Sequence, residues 1–167
     1  MRLARALAVA AAVVIVDQAT KAWIVATLPF GREINVIPGL LRLVHSRNRG
    51  IAFGFFGAAG PTAQVVLLAA VAAIVAFVGW QLLRSDGGGL AGVGLALVLG
   101  GAVGNIIDRI VRGEVVDFLD FFVTIGGREH HWFAFNVADS AITVGAACLI
   151  VSEIVAQVRS KRASGSD

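Results

Sequence analysis

The stretch FNVADSAITVGAACLIVSEIV at residues 135–155 decides the fold class. At 1.5 Å per helical residue, crossing a hydrocarbon core of ~30 Å takes ~20 residues, and this run is of that length. Yet Asp139 sits a few residues inside its entrance. Ionisable side chains in spanning segments are costly, face the bundle interior and mark functional sites. The segment therefore raises two questions: what this acid does, and with which groups it works.

The rest of the chain has the same character. It has 167 residues, of which 57% are hydrophobic and only 15% charged, and its mean hydropathy is +0.84. A soluble domain of this size would not stay dissolved, so the class is integral membrane protein. The single cysteine, Cys148, excludes an intrachain disulfide, and no Cys/His spacing suggests zinc. The net charge of +3 comes from basic residues at chain ends and membrane edges, which argues against nucleic acid as a partner. Abundant Ala, Gly, Val and Arg, with lysine only at Lys21 and Lys161, point to a G+C-rich genome.

Arg2 and Arg5 before an apolar run resemble a signal peptide, but the run resumes beyond Asp17 and Lys21 through Trp23 to Leu28 without a small-x-small cleavage site. A retained helix is expected. Four spans result, at about residues 6–28, 63–83, 90–110 and 135–155. The predicted architecture is an all-α polytopic membrane protein with one domain over residues 1–158 and a short basic tail over 159–167. An even number of spans puts both termini on one side, and both ends are basic, so the cytoplasm is expected. A β-rich outer segment is expected at about residues 30–58, where short β-prone stretches are punctuated by Pro38-Gly39 and Gly50.

Three polar stripes share helix faces. Asp17, Thr20 and Lys21 lie on the first span; Asn105, Asp108, Arg109 and Arg112 on the third; Asn136, Asp139, Ser140 and Thr143 on the fourth. The assumed topology brings them to the extracytoplasmic edge. Each also has a structural explanation: an i,i+4 ion pair for Asp17/Lys21, a cap for Asn136, an Asp108/Arg109 pair, and close helix packing through GGAVG at 100–104. Their coincidence at one edge favours a site. Among the acids there, Asp108 is expected to stay ionised beside Arg109, while Asp117 or Asp120 faces Asp139. Asp117 has hydrophobic neighbours and Asp120 is expected to reach water; spacing does not choose between them.

Two carboxyl groups in a desolvated cleft share one proton. One activates water and its protonated partner stabilises the oxyanion, which is amide hydrolysis without metal, cofactor or covalent intermediate. No His-Glu-x-x-His or Gly-x-Ser-x-Gly motif competes. A proton-relay transporter would want polar groups in both membrane halves, and a structural subunit would not explain facing carboxyls.

The blocks DQATK at 17–21, NRGIAFG at 48–54, GGAVGNIIDR at 100–109, VVDF at 115–118 and FNVADSAITVG at 135–145 occur in this order. Together they resemble the bacterial lipoprotein signal peptidase family, signal peptidase II, over nearly the whole chain. The resemblance implies an aspartic endopeptidase that removes signal peptides from prolipoproteins, cutting before a diacylglyceryl-modified cysteine. It implies Asp117 and Asp139 as the catalytic pair, in place of Asp120. Asp17, Lys21, Asn48, Gly50, Asn105, Asp108, Arg109 and Asn136 become substrate-binding or supporting residues of the pocket. It further implies a small extracytoplasmic β-cradle and the bacterial inner membrane as location. Lipidated prolipoproteins and membrane lipids are the expected partners, with a monomer as the working state.

Overall fold

The computed structural model describes residues 2–48, 50, 61–84 and 88–164. Four helices, α1 (Arg2–Thr27), α2 (Pro61–Arg84), α3 (Gly89–Val111) and α4 (Val137–Ser164), are interleaved with strands β1 (Glu33–Ile37), β2 (Leu41–Asn48), β3 (Val115–Ile125) and β4 (Arg128–His131). All four helices are long and apolar enough to cross a membrane. Their exposed surfaces carry Ile15, Val65, Leu83 and Ile150, which suits a lipid surround.

α3 is the central helix. It packs on each of the other three, and 44% of its span is buried against 11–17% for the others. Glycine makes this approach possible. A methyl group on Gly100 would lie 2.6 Å from the Ala10 carbonyl oxygen of α1, and one on Gly101 would strike the Ala138 carbonyl of α4. Small residues let helix backbones come this close where no side chain intervenes.

The strands form one antiparallel sheet in the order β1-β2-β3-β4. Pro38-Gly39 turns β1 into β2, with Gly39 at φ 76° and Leu40 N–H bonded to the Ile37 carbonyl at 3.0 Å. Gly126-Gly127, both at positive φ, close β3 onto β4 in a two-residue hairpin that needs left-handed backbone twice. The β2–β3 register shifts between Leu43 and Ser46, so β2 carries one extra residue there. Buried His45 lies in that bulge, and its Nδ1 donates to the Leu28 carbonyl at the end of α1 at 2.8 Å. Ile24 and Leu28 pack with Val116 and Phe118 to seat the sheet on this end of the bundle.

The expected β-rich segment at 30–58 is found in β1 and β2, while residues 49 and 51–60 lie outside the described residues, so the NRGIAFG block is described only at Asn48 and Gly50. Half of the sheet was not expected. β3 and β4 come from the connection between the third and fourth spans. The fourth helix starts at Val137 instead of residue 135 and continues to Ser164, so much of the expected tail at 159–167 is helical. Lys161 and Arg162 in its last turn suit the negative end of the helix dipole.

Candidate active site

The start of α4 is built by its own polar residues. The Asn136 side chain accepts the Asp139 N–H at 2.9 Å, and the Asp139 carboxylate accepts the Asn136 N–H at 3.2 Å. This is a reciprocal capping box with asparagine and aspartate in place of the usual serine and glutamate. The first acid of interest is thereby fixed to a rigid helix end. Its other oxygen accepts from Asn105 Nδ2 of α3 at 2.8 Å.

Asp117 comes from β3 and meets the same asparagine. Asn136 Nδ2 donates to its Oδ1 at 2.7 Å, and Asn48 Nδ2 of β2 donates to its Oδ2 at 3.2 Å. Asp117 is 3% exposed. Burial, reinforced by the negative charge of Asp139, pushes its pKa up to about 7. The two asparagine donors and the more distant Lys21 oppose that rise.

Beneath this pair lies a second polar cluster, closed to water. Lys21 Nζ sits 2.8 Å from Asp17 Oδ2, 2.9 Å from Asp108 Oδ2 and 3.1 Å from Asn105 Oδ1. Lys21, Asp17 and Asp108 are fully buried. Each acid also binds backbone: Asp17 accepts the Ala138 N–H at 2.9 Å, and Asp108 accepts the Val116 N–H at 3.1 Å. Arg112 completes the group by pairing with Asp108. The cluster ties α1, α3, α4 and β3 together directly below the acid pair. Gly104 is required here, since a methyl on it would lie 2.6 Å from Asp17 Oδ2.

Several expectations are corrected. Asp108 does not pair with Arg109. Neighbouring helix residues point about 100° apart, whereas Arg112, four residues on, shares the Asp108 face. Arg109 instead donates to the Asn105 and Gly50 carbonyls at 3.1 and 2.8 Å. Asp120 is buried, although it lines a cavity that opens to solvent. It is 6% exposed and lies on the opposite face of β3 from Asp117, as residues three apart on a strand must. There Arg42 Nε donates to it at 2.7 Å, and Arg42 also reaches Glu33 and Glu129. The hydrogen bond to Asp120 is the main cause holding the Arg42 pKa above its ordinary value. Thr20 and Thr143 bond only to carbonyls of their own helices and leave the cluster.

Gln18 was missed. Its side-chain amide donates to Asp17, Asp108 and the Gly104 carbonyl at 3.1 Å each, and it accepts from Arg112. Its place next to Asp17 in the chain was the available signal, but a position outside the i, i+3, i+4 stripe hid it.

A cavity of about 470 Å³ opens on the Asp120 side of the sheet, lined by Phe30, Glu33, His45, His131 and Trp132 among others, and it includes neither Asp117 nor Asp139. Among the described residues no group of three His, Cys, Asp or Glu side chains is arranged to hold a metal ion. The acid pair is instead surrounded by amides. Among the described residues, three asparagines, Asn48, Asn105 and Asn136, supply its side-chain hydrogen bonds.

Known proteins are similar along most of the chain. Lipoprotein signal peptidases from Cupriavidus necator and Geobacter metallireducens are 47% and 46% identical, over 89% and 87% of this chain and 82% and 88% of theirs. The one from Rhodopseudomonas palustris is 42% identical over 83% of this chain and 85% of its own. Two bacterial membrane enzymes solved by the in meso method superpose with TM-scores of 0.73 and 0.74 at 32% and 30% identity. They cover 90% and 89% of this chain, and 88% and 92% of their own. The model of signal peptidase (SPase) II matches residues 9–155, which take in both acids and every residue of the buried cluster, and the chain thus belongs to the signal peptidase II family.

Proposed function

We propose that the protein removes signal peptides from prolipoproteins by hydrolysing the bond before a diacylglyceryl-modified cysteine, with Asp117 and Asp139 as an aspartic dyad. The observation that carries this reading is the convergence of two carboxyl groups, from β3 and α4, on Asn136. Family membership supplies the substrate class.

The chemistry follows from one proton shared by two acids. The ionised carboxylate takes a proton from water as the water oxygen bonds to the scissile carbonyl carbon. The protonated partner passes its proton to the carbonyl oxygen, giving a neutral tetrahedral diol. On collapse the C–N bond breaks, and the leaving nitrogen receives the proton taken from water. A diol hydroxyl returns the other proton, so the pair ends as it began. Arg109 and the amides of Asn48 and Asn105 are placed to orient the substrate backbone or the acids. Asp17, Lys21 and Asp108 support the pocket from below.

Residues 1–158 act as a single peptidase domain in a bacterial cytoplasmic membrane, as a monomer surrounded by lipid. Both termini lie in the cytoplasm, and the sheet and dyad at the extracytoplasmic face. Basic residues at both ends support that orientation. Exposed Trp23, Phe30, Trp132 and Phe133 near the sheet suit an interfacial aromatic belt. A signal helix whose scissile bond emerges at that boundary would meet the dyad there, its acyl chains remaining in the bilayer.

The test is cleavage of a purified, lipidated precursor by wild type and by Asp117→Asn and Asp139→Asn. Each variant is expected to insert normally and to lose activity by about 10²–10⁴-fold or more. Wild-type rates in either variant would end the dyad reading.

A further inference from the structure

The dyad is asymmetric, and the asymmetry originates two layers below it. Among the described residues, three cations, Lys21, Arg109 and Arg112, act on four carboxyl groups, Asp17, Asp108, Asp117 and Asp139. Among the described residues these are the charged groups that α1, α3, β3 and α4 present to the site, and β2 contributes the neutral Asn48. The cluster is electrically balanced only when one carboxyl group carries a proton. Asp17 and Asp108 are each in contact with buried Lys21, so the proton belongs to the dyad.

The hydrogen bonds choose between its members. Lys21 Nζ donates to Asn105 Oδ1, and Asn136 Nδ2 approaches the same oxygen at 3.3 Å. An ammonium group has donors only, so the Asn105 oxygen must face Lys21 and its NH₂ must face Asp139. Asp139 therefore accepts from an amide that a buried cation polarises, and from a backbone N–H at the positive end of α4. Asp117 lacks both. Its donor Asn136 Nδ2 has two hydrogens for three acceptors, Asp117, Asn105 and the Val116 carbonyl.

We infer that Lys21 is a positioning residue: by fixing the Asn105 amide it holds Asp139 as the charged member of the dyad and leaves the shared proton on Asp117. Asp139 is then the base that takes the proton from water, and Asp117 the acid that protonates the carbonyl oxygen. This assignment rests on the dyad proposed above. The burial that raises Asp117 agrees with it.

Two measurements test the inference. The first is infrared spectroscopy of membrane-reconstituted protein with isotopically labelled aspartate carboxyls near neutral pH. The protonated-carboxyl band is expected in wild type, to leave the aspartate set in Asp117→Glu, and to stay in Asp139→Glu. A band that follows position 139, or neither position, overturns the inference. The second is the pH–rate profile of the charge-balanced double variant Lys21→Met/Asp17→Asn on lipidated precursor. Its acid limb is expected to move up by about one pH unit, the loss of a charge-assisted contact to Asn105. A purely structural Lys21 would lower the profile without moving it, and that result overturns the inference. Where turnover is too slow to follow, infrared titration of the same variant reads the shift directly. Activity in Asp117→Asn would instead defeat the dyad itself, whatever the bands show.

Discussion

Two groups of aspartates lie one above the other at the sheet end of the bundle, built from the same residue type to opposite effect. Asp17 and Asp108 are matched by Lys21 and Arg112, and each also accepts a backbone N–H. Among the described residues, Asp117 and Asp139 accept their hydrogen bonds from amides and one backbone N–H, with no ion-paired cation in contact. Cations give a buried carboxylate a counter-charge and lock it in one state; amides satisfy its oxygens while leaving its protonation free to change. The lower group joins four elements of the fold. The upper group is left with chemistry to do.

That contrast can be broken at its strongest point by the Asp→Asn exchanges in the dyad, where activity should vanish while thermal unfolding in detergent changes little for Asp117. The reverse pattern is expected below it. Lys21→Ala leaves buried Asp17 without a cation, at a cost of about 3–5 kcal/mol, and should appear as a large drop in unfolding temperature; Asp108→Asn, which leaves Lys21 paired with Asp17, should lower it less. An unchanged melting point for both would show that the lower group does not hold the fold.

Asp117 also predicts a pH dependence. Its pKa rises from 3.8 to about 7 on folding, so in that window the native state binds more protons than the unfolded one. Its contribution to stability is fully present below the unfolded value and is lost as pH rises through about 7. Asp117→Asn should flatten the slope of stability against pH in this range, and an unaltered slope would contradict the assignment. The smallest effect is expected from Asp120→Asn on the far face of β3. It removes one partner of Arg42, which keeps Glu33 and Glu129, so stability should fall by about 1–3 kcal/mol with cleavage retained. A loss of turnover equal to that of Asp117→Asn would reopen the choice of acid.

Much of this was legible in the chain because membrane helices are simple to read. Length and apolar content mark all four spans, and the 3.6-residue period places Asp17 with Lys21 and Asn105 with Asp108. The β3 strand was not legible. In VVDFLDFFVTI the apolar residues do not alternate, because its first half is buried on both faces between the helix ends and β2, so no period of two appears. Without the strand, spacing did not tell Asp117 from Asp120 and only the resemblance to signal peptidase II separated them; with it, three residues of separation put them on opposite faces. The contacts made by backbone, Val116 N–H to Asp108 and Ala138 N–H to Asp17, leave no trace in residue identity.

The capping box at Asn136 has a mechanical consequence. Asp139 closes the first turn of a helix 28 residues long, so its carboxyl group inherits the stiffness of a rod rather than the play of a loop. A substrate arriving from the bilayer would have to bring its peptide bond to this fixed post. The adaptable part of the encounter then falls to the incoming chain and to the sheet that carries the other acid.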